Sequence, residues 1–413
     1  MAETINTIVV GAGQAGLATS YFLKRHDVEH LVLEQSEVAA SWRQRWDSFT
    51  LVTPNGMCGL PGFPWDGDPG GYLGRDEVIS YLADFAASFE PPLRTGVRVA
   101  AARPAGGGFR VETSAGAYSC RNLVVATGLF QRPALPACAG RLDPQVPQLH
   151  SSAYRGPGQL PAGAVLVVGS GQSGAQIADE LHGAGRQVYL SVSRAGRAPR
   201  RYRGRDVMDW MRELGVFDMG VDQLESPAER FEAHAHLSGR DGGRTLNLRR
   251  FGRAGMVLLG KVSDAEGDRV RLAPDLEQNL GAADEAAARL CTMLDRRIAE
   301  AGIHAPPPDD DELQPERWSP PAGPGELGLR DAGIGAVIWA TGYCFDFSWI
   351  AGLAVDPFGY PVQRQGVTPT PGLFFVGLHW LNKFKSGLLY GVAEDAEHVA
   401  GQVAARQAEV SRV

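Results

Sequence analysis

The sequence lacks the features that mark several large classes of protein. Its 413 residues include only five cysteines, and no two of them form a Cys-x-x-Cys pair. Neither a disulfide framework nor a redox-active thiol pair is therefore expected. No stretch reaches the roughly 20 apolar residues that cross a bilayer, and the N-terminus has no signal-peptide pattern. We expect a soluble, cytoplasmic protein without a membrane segment.

Basic charge and metal-ligand spacing are missing as well. The net charge is −7, so no surface for nucleic acid is expected. His234 and His236 have no cysteine or acidic cluster nearby, and prolines flank the acidic run at 309–312, so we predict no metal site. With 44% hydrophobic and 21% charged residues, the composition is that of a globular protein of two or three domains.

What the sequence does contain is an internal repeat. Residues 7–16 read TIVVGAGQAG, and residues 165–174 read VLVVGSGQSG. Each copy predicts a buried strand, a glycine turn, a helix and a second strand. The predicted helices are Ala15–Arg25 and Gly174–Gly185, and the second strands are His30–Leu33 and Gln187–Val192.

A second duplicated motif ends a strand late in each unit. Residues 123–128 read LVVATG, and residues 337–343 read VIWATGY. Residues 96–120 alternate like a small antiparallel sheet. Two further helices are predicted at Val207–Leu214 and Ala282–Ala301, and a last strand, Leu373–Val376, precedes a helix predicted from Ser386 to Ala405. This late strand and helix indicate that one domain is discontinuous.

Each glycine turn has the pattern of a dinucleotide site. The first glycine permits a tight bend, the second lets the backbone approach a pyrophosphate, and the third lets the helix pack closely on the strand. The phosphates then lie at the helix N-terminus. In the first copy Glu34 ends the second strand, where a carboxylate accepts hydrogen bonds from ribose hydroxyls and disfavours a 2′-phosphate.

The second copy ends its second strand with a cation instead. Ser193 and Arg194 occupy the place of the acidic residue, and an arginine there pairs with a ribose 2′-phosphate, so NADPH is predicted. Three nearby arginines could share or replace this role: Arg197, Arg200 and Arg201. The alternative is that both turns are structural and that Arg194 is an ordinary surface cation.

In this order the motifs resemble those of the class B flavin-dependent monooxygenases, the flavin-containing monooxygenase family, in its bacterial and plant-type branch. The resemblance covers nearly the whole chain. Besides the two repeats, it rests on SWRQRWDSFTLVTPN at 41–55, LPGFP at 60–64, GLFFVGLHW at 372–380 and SGLLYG at 386–391.

The resemblance implies an α/β fold of two dinucleotide-binding Rossmann-like domains, with an NADPH domain inserted into an FAD domain. We place the FAD-binding domain at 1–155 and 331–413, and the NADPH-binding domain at 156–330 with a substrate-shaping helical insertion around 202–300. NADPH would reduce FAD, O₂ would add at the flavin C4a atom, and the hydroperoxide would pass one oxygen to a small molecule. The alternative is an FAD/NAD(P)H electron-transfer reductase without oxygen insertion. A homodimer is left open.

Two departures from the family pattern concern the chemistry. The expected Phe-x-Gly-x-x-x-His fingerprint keeps His150, but Pro144 and Val146 replace its Phe and Gly. This argues against Baeyer–Villiger oxygenation and favours an amine, a thioether or an aryl-keto acid as substrate. Val52 stands where many members have a flavin-facing asparagine, and Asn55 is the expected replacement.

The motifs and the resemblance together predict the site residues. The catalytic candidates are Thr53, Asn55 and His379. Contacts with FAD are expected from Gly11, Gly13, Gln14, Ala15, Gly16, Glu34, Gln35, Trp42, Arg43, Trp46, Val99, Thr127, Gly128, Ser386 and Leu388. Contacts with NADPH are expected from Gly169, Ser170, Gly171, Gln172, Ser173, Gly174, Ser193, Arg194, Ala340, Thr341, Gly342 and Tyr343. Five aromatic residues are expected to line the substrate site: Trp65, Trp210, Phe217, Phe231 and Phe251.

Some of these assignments have a structural alternative. Trp42, Arg43 and Trp46 could pack on a domain face rather than contact FAD. Tyr343 could close the domain interface rather than contact nicotinamide. His379 could be a structural histidine rather than a partner of the flavin ring.

Overall fold

A computed structural model describes residues 3–232, 235–308, 318–321 and 323–410. His234 and the acidic run at 309–312 lie outside the described residues. The helices are α1 (Gln14–Arg25), α2 (Ala40–Arg43), α3 (Arg75–Phe89), α4 (Gln172–Gly183), α5 (Val207–Glu213), α6 (Leu248–Arg253), α7 (Leu276–Glu300) and α8 (Val392–Val410). Short 3₁₀ turns occur at Asn55–Met57, Ala137–Arg141, Ser151–Ala153, Pro157–Gln159, Val216–Asp218, Val221–Gln223, Pro227–Phe231, Arg240–Gly242 and Phe384–Gly387.

The strands alternate with these helices. In chain order they are β1 (Glu3–Val10), β2 (His30–Leu33), β3 (Gly59–Leu60), β4 (Phe63–Pro64), β5 (Leu93–Arg94), β6 (Val99–Ala105), β7 (Gly108–Thr113), β8 (Gly116–Val125), β9 (Arg132–Pro133), β10 (Gln148–His150), β11 (Ala164–Val168), β12 (Val188–Ser191), β13 (Arg201–Tyr202), β14 (Arg205–Asp206), β15 (Leu237–Ser238), β16 (Arg244–Thr245), β17 (Val257–Leu259), β18 (Val262–Glu266), β19 (Arg269–Leu272), β20 (Glu326–Gly328), β21 (Ile334–Trp339), β22 (Tyr343–Cys344) and β23 (Leu373–Phe375).

The first sheet combines a parallel half with an antiparallel half. Its order is β5-β2-β1-β8-β7-β6, with β23 also paired to β8. Strands β5, β2, β1, β8 and β23 run parallel, whereas β6, β7 and β8 form a meander. The meander confirms the antiparallel pattern predicted at 96–120. The parallel strands are apolar throughout because both of their faces are covered.

Alternate residues of these strands enter two different cores. Val9, Val32 and Val124 pack against α1, α3 and α8. Ile8 and Leu33 pack on the opposite face, against the meander and the segment 347–381. The period-two alternation of strand side chains therefore ties the C-terminal segment to the N-terminal unit. Residues near both ends of the described chain therefore share this core.

The second sheet is parallel throughout, in the order β10-β21-β11-β12-β17. The second repeat supplies β11, α4 and β12, as predicted. The expected limits of the inserted domain at 156 and 330 need correction. Both β10 (Gln148–His150) and β21 (Ile334–Trp339) lie outside that range, yet they are hydrogen-bonded into the second sheet.

The predicted C-terminal helix begins later than expected, at Val392 rather than Ser386. The Ser386 hydroxyl accepts hydrogen bonds from the backbone N–H groups of Asn382 and Lys383, at 3.1 and 3.0 Å. These bonds close a 3₁₀ turn, and the chain then bends again before α8 starts. No α-helix therefore begins at Ser386 in this part of the described chain.

A buried ion pair of the inserted unit is hydrogen-bonded to the N-terminal unit. Arg200 is 1% exposed and donates to one carboxylate oxygen of Asp206 at 2.9 and 2.6 Å. Its third nitrogen donates to the carbonyl of Val52 at 2.7 Å. The Tyr72 hydroxyl donates to the same carboxylate oxygen at 2.5 Å. Each charge is thus compensated inside the protein.

None of the helices among the described residues is long and apolar enough to cross a membrane.

Removing one partner of the Arg200–Asp206 ion pair leaves the other charge buried and unpaired. We expect Arg200→Met to lower the free energy of unfolding by about 3–5 kcal/mol. The matched control is Arg289→Met, because Arg289 pairs with Glu285 on the surface of α7 with both side chains at least 70% exposed, a pair worth about 0.3–0.5 kcal/mol. Urea unfolding followed by tryptophan fluorescence measures both. Equal losses in the two variants would contradict the account.

Candidate functional site

The first glycine turn has the geometry that a pyrophosphate requires. Gly11 has a φ of +108°, and a Cβ there would lie 2.6 Å from the carbonyl oxygen of Ala126. A Cβ on Gly16 would lie only 1.8 Å from the carbonyl oxygen of Gly11, so α1 and β1 pack at glycine distance. Gly13 has no atom within 4 Å of its Cβ position. The open side of the turn therefore adjoins the free N–H groups that begin α1.

The second glycine turn repeats this geometry. Gly169 has a φ of +100°, and its Cβ would meet the carbonyl oxygen of Ala340 at 2.5 Å. A Cβ on Gly174 would lie 1.9 Å from the carbonyl oxygen of Gly169, and Gly171 again has open space beside it. The residues present fit a dinucleotide at both turns. Ala340 belongs to this turn through its backbone.

Both turns carry a glutamine whose side chain holds another segment in place. Gln14 accepts a hydrogen bond from Trp42 Nε1 at 3.0 Å and donates to the carbonyl of Gly387 at 3.2 Å. Gln172 accepts from the N–H of Leu237 at 3.2 Å and donates to its carbonyl. Both amides are thus occupied by the protein. The predicted cofactor contacts of these two glutamines are left to their backbone N–H groups.

The two strand ends carry opposite chemistry. Glu34 is buried, and its carboxylate accepts hydrogen bonds from the N–H groups of Ala12 at 2.8 Å and Ser36 at 3.0 Å. In the second unit Ser170 is fully buried and its hydroxyl bonds the backbone of Ser193. Arg194 is exposed and has no hydrogen bond or ion pair with any described residue. Gln35, Ala15 and Ser173 lie beside these groups on the same turns.

The expectation that Arg197 or Arg200 could replace Arg194 is wrong. Arg197 is 4% exposed and pairs with Asp284 at 3.0 Å. Arg200 is committed to Asp206. Arg201 is exposed, and its guanidinium lies 3.4 Å from the carbonyl of Gly242. A buried guanidinium already paired with a carboxylate is not available to a phosphate.

The carboxyl ends of the two sheets meet directly. Strand β9 follows β8 and pairs antiparallel with β22, which follows β21. The rings of Phe130 and Tyr343 contact edge to face, with their centroids 5.0 Å apart. Thr127 and Gly128 are held by Gln131, and the Thr341 hydroxyl donates to the carbonyl of Ala134 at 2.5 Å. Ligands of open parallel sheets bind at such strand ends.

The imidazole of His150 is held in a defined tautomer, and it fixes one of these turns. The N–H of Ser152 donates to Nδ1 at 3.1 Å, so Nδ1 is the acceptor and the proton is on Nε2. That Nε2–H donates to the carbonyl of Gly342 at 2.9 Å. Burial lowers the pKa of His150, against the opposing effect of this backbone bond. The ring is therefore neutral at pH 7 and positions Tyr343, whose ring it contacts edge to face.

The aromatic and basic residues after Glu34 divide between site and core. Trp42 is half-buried and bound to the first turn through Gln14. Trp46 is 4% exposed and packs in the core of the second unit, so it presents almost no surface to a cofactor. Arg43 points to the exterior, where it pairs with Glu37 at 3.4 Å. Trp46 therefore has a packing role, and Arg43 lies on the exterior beside Glu37.

The catalytic candidates lie in different surroundings. Thr53 is buried, and the nearby thiol of Cys58 donates to the carbonyl of Pro54 at 3.7 Å. Asn55 is 7% exposed, and its Nδ2 donates to the carbonyl of Asp68 at 2.9 Å. No described residue bonds its Oδ1 atom. The ring of His379 lies in an aromatic cluster, 5.3 Å from the ring of Phe231.

Three predicted FAD contacts are occupied by the protein or displaced. The Ser386 hydroxyl is fully buried and also bonds Asp395, whose pKa burial raises to about 7. The N–H of Leu388 donates to the carbonyl of Lys385 at 2.9 Å. Val99 is the first residue of β6 in the meander and packs against the core of the first unit. The residue beside the acidic strand end is instead Val97, whose N–H donates to the carbonyl of Glu34 at 2.9 Å.

Most of the aromatic residues expected to line the substrate site form core instead. Trp210 and Phe217 are each 1% exposed and Phe251 is 8% exposed. Trp65 packs against Tyr81 with a centroid distance of 5.7 Å. Of the five, Phe231 remains beside a predicted site residue. Gly377, which closely approaches Ala15 next to the first glycine turn, is absent from the predicted site residues. Its φ is +82° and a Cβ there would lie 2.5 Å from Ala15 Cβ, and its position directly after the last strand is the signal that could have identified it.

Comparisons with known proteins agree with this architecture. The family model described as "Pyridine nucleotide-disulphide oxidoreductase" matches residues 8–213. An uncharacterized CzcO-like oxidoreductase from Geobacillus kaustophilus is 31% identical over 406 residues, covering 98% of this chain and 99% of that one. A probable indole-3-pyruvate monooxygenase from Arabidopsis thaliana is 32% identical over 51% of this chain and 50% of its own. A mutant of the flavin monooxygenase from Stenotrophomonas maltophilia has a TM-score of 0.67 at 21% identity, covering 98% of this chain and 99% of that chain.

Two facing Rossmann-like units, each with a dinucleotide turn, define an FAD-dependent oxidoreductase that uses a nicotinamide dinucleotide. The cofactors expected from the sequence, FAD and NADP(H), are those of this class. The likeness to class B flavin monooxygenases seen in the sequence is confirmed. Within this class the chain belongs to the family of the CzcO-like oxidoreductases.

The middle glycine of each turn offers a test that separates the two cofactors. Gly13 has a φ of −82° and Gly171 a φ of −66°, which alanine adopts, and a Cβ meets no protein atom at either position. A methyl group there would fill the space that the pyrophosphate approaches. We expect Gly13→Ala to weaken FAD binding about tenfold or more, with normal folding. Gly171→Ala should do the same to NADP⁺ binding and leave FAD bound.

Flavin absorbance of the purified proteins and titration with NADP⁺ measure the two effects. Each variant is the control for the other, since the substitution is the same and only the turn differs. Full FAD occupancy in Gly13→Ala, or loss of FAD in Gly171→Ala, would contradict the assignment of the two turns.

Proposed function

We propose that the protein is an NADPH- and O₂-dependent flavin monooxygenase that oxygenates a small molecule. The observation that supports this most is the position of residues 42–53, which we call the bridging segment. Trp42 bonds the first glycine turn, Trp46 lies in the core of the second unit, and the carbonyl of Val52 accepts from Arg200. This segment carries much of the sequence resemblance to the monooxygenases, and it lies where the two units meet.

The chain's own residues would bind, orient and shield the reactants. The two glycine turns bind the dinucleotides, and the pairing of β9 with β22 keeps the strand ends together. The bridging segment covers the junction and limits access of water. When bound at the first glycine turn, reduced FAD would supply the oxygen-transfer chemistry. The substrate is a small molecule with an oxidisable nitrogen or sulfur, or a keto acid.

Two of the catalytic candidates keep a proposed role. Asn55 is buried two residues after the bridging segment ends and has an oxygen that no described residue bonds. We assign it the hydrogen bond to the reacting oxygen that an asparagine makes in many family members. His379 follows the last strand of the first sheet, and we assign it a place beside the flavin ring. Thr53 is buried, and we assign it a structural role.

A reductase without oxygen insertion is the second candidate, because the matching family model describes disulphide oxidoreductases. All five cysteines are free, and four of them are buried. Burial raises the pKa of Cys120 to about 12 and that of Cys291 to about 11, so these two thiols are unreactive at neutral pH. The reductase to be tested is therefore one that transfers electrons to a quinone or to a protein carrier.

Product mass decides between the two functions. FAD-loaded enzyme is mixed with NADPH and O₂ in the presence of amines, thioethers and aryl-keto acids. We expect a product heavier by one oxygen, in proportion to the NADPH consumed, from one of these classes. The matched control is the same mixture without O₂, which should give flavin reduction and no product. NADPH consumption with fast quinone reduction and no oxygenated product would favour the reductase.

The second strand end predicts the choice of nicotinamide cofactor. We propose that the exposed Arg194 binds the ribose 2′-phosphate. A charge-assisted contact of this kind contributes about 1.5–3 kcal/mol, so Arg194→Ala should raise the Kd for NADPH about 10- to 100-fold and leave that for NADH nearly unchanged. Arg201→Ala is the control, because Arg201 is also exposed but has only a carbonyl contact. Equal losses for NADPH and NADH would rule out this role.

A further inference from the structure

Arg45 is a partly buried arginine without a carboxylate partner. Its guanidinium lies 4.0 Å from the ring centroid of Phe130 and 5.6 Å from that of Phe49. The Nε atom is inaccessible to solvent, and no described residue accepts a hydrogen bond from it. Among the described residues no acid pairs with this guanidinium. Arg45 is thus a cation whose charge the protein itself does not balance.

The buried arginines of the inserted unit have carboxylate partners. Arg197 pairs with Asp284 at 3.0 Å, and Arg200 pairs with Asp206 at 2.6 Å. Arg249 pairs with Glu277 at 2.6 Å. In these places the chain supplies an acid for each buried guanidinium. The missing acid at Arg45 is therefore a property of that position rather than of buried arginines in this fold.

Aromatic contact alone offsets only part of the cost of burying this charge. A cation–π contact recovers only part of the hydration that a guanidinium loses when it is partly buried. Burial accordingly lowers the pKa of Arg45. A site that holds an uncompensated guanidinium in the protein alone is matched by an anion that arrives with a ligand.

The position of Arg45 identifies where such a ligand lies. Phe130 follows the strand β8 of the first sheet, and its ring touches Tyr343, the first residue of β22, which follows β21 of the second sheet. The next residue, Trp46, is packed in the core of the second unit. Arg45 therefore lies at the junction of the two sheets, with one half-exposed aromatic ring, that of Phe130, directly beside it.

We propose that Arg45 binds an oxyanion, phosphate or carboxylate, of a ligand that occupies the junction between the two sheets. The two sources of this group are the pyrophosphate of the nicotinamide dinucleotide and the carboxylate of an acidic aromatic substrate. The proposal rests on ligand binding at the domain junction, which is part of the proposed function, but not on oxygen transfer. The planar guanidinium suits both groups because it donates two parallel hydrogen bonds.

The test compares FAD-loaded wild type with Arg45→Gln and Arg45→Lys. Binding of NADP⁺, phenylacetate and the neutral phenylacetamide is measured by flavin absorbance titration, and thermal unfolding is measured without added ligand. Arg43→Gln is the matched control, since Arg43 is two residues away, exposed and paired with Glu37. These readouts do not depend on turnover, so a failure of oxygen transfer leaves them interpretable.

We expect Arg45→Gln to weaken one of the two anions about 10- to 100-fold, with phenylacetamide unaffected and an unfolding temperature no lower than that of wild type. Loss of NADP⁺ affinity assigns the site to the pyrophosphate, and loss of phenylacetate affinity assigns it to a substrate carboxylate. Arg45→Lys should recover part of the affinity. Unchanged affinity for both anions overturns the proposal, as does a wild type that binds neither. A lower unfolding temperature with unchanged affinity would make Arg45 structural.

Discussion

The structure depends on how closely a helix approaches a strand at the two glycine turns. At each turn a single added carbon would lie within 2 Å of a backbone carbonyl, at Gly16 and at Gly174. Only glycine allows this approach, and the approach aims the N-terminus of the helix at the carboxyl edge of its sheet. Because the same constraint operates twice, the chain has two anion sites of the same construction.

The pairing of β9 with β22 brings the carboxyl ends of the two sheets together. It joins the ends of β8 and β21, which come from different sheets, so that Phe130 and Tyr343 touch. His150 then fixes the turn before Tyr343 through a neutral imidazole. Two independent dinucleotide units would each bind a ligand. Held edge to edge in this way, they can pass electrons from one ligand to the other.

The repeated part of the fold could be predicted from the sequence, because local pattern determines it. Apolar runs and glycine spacing predicted the strands, the glycine turns, α1, α4, the meander and the acidic strand end at Glu34. The assignments that failed depend on contacts distant in sequence. Trp46 and Phe217 are core because segments far along the chain cover them, and aromatic composition alone does not distinguish a covered ring from a ligand contact.

The same limit explains the arginines and the C-terminal helix. Arg197 and Arg200 resembled Arg194 in sequence, but Asp284 and Asp206 neutralise them in the fold. Serine is a residue type that often begins a helix. The hydroxyl of Ser386 instead closes a 3₁₀ turn. The unpaired Arg45 had no sequence signal either, since the absence of a partner is visible only when all neighbours are placed.

The central claim is that two dinucleotides bind to one chain and that electrons pass between them. Anaerobic titration of FAD-reconstituted protein with NADPH tests it most directly, with flavin absorbance recorded after each addition. The account predicts one FAD per chain and complete bleaching of the flavin at about one equivalent of NADPH, since each nicotinamide delivers one electron pair. Protein that remains colourless after incubation with FAD, or flavin that stays oxidised in excess NADPH, would contradict it.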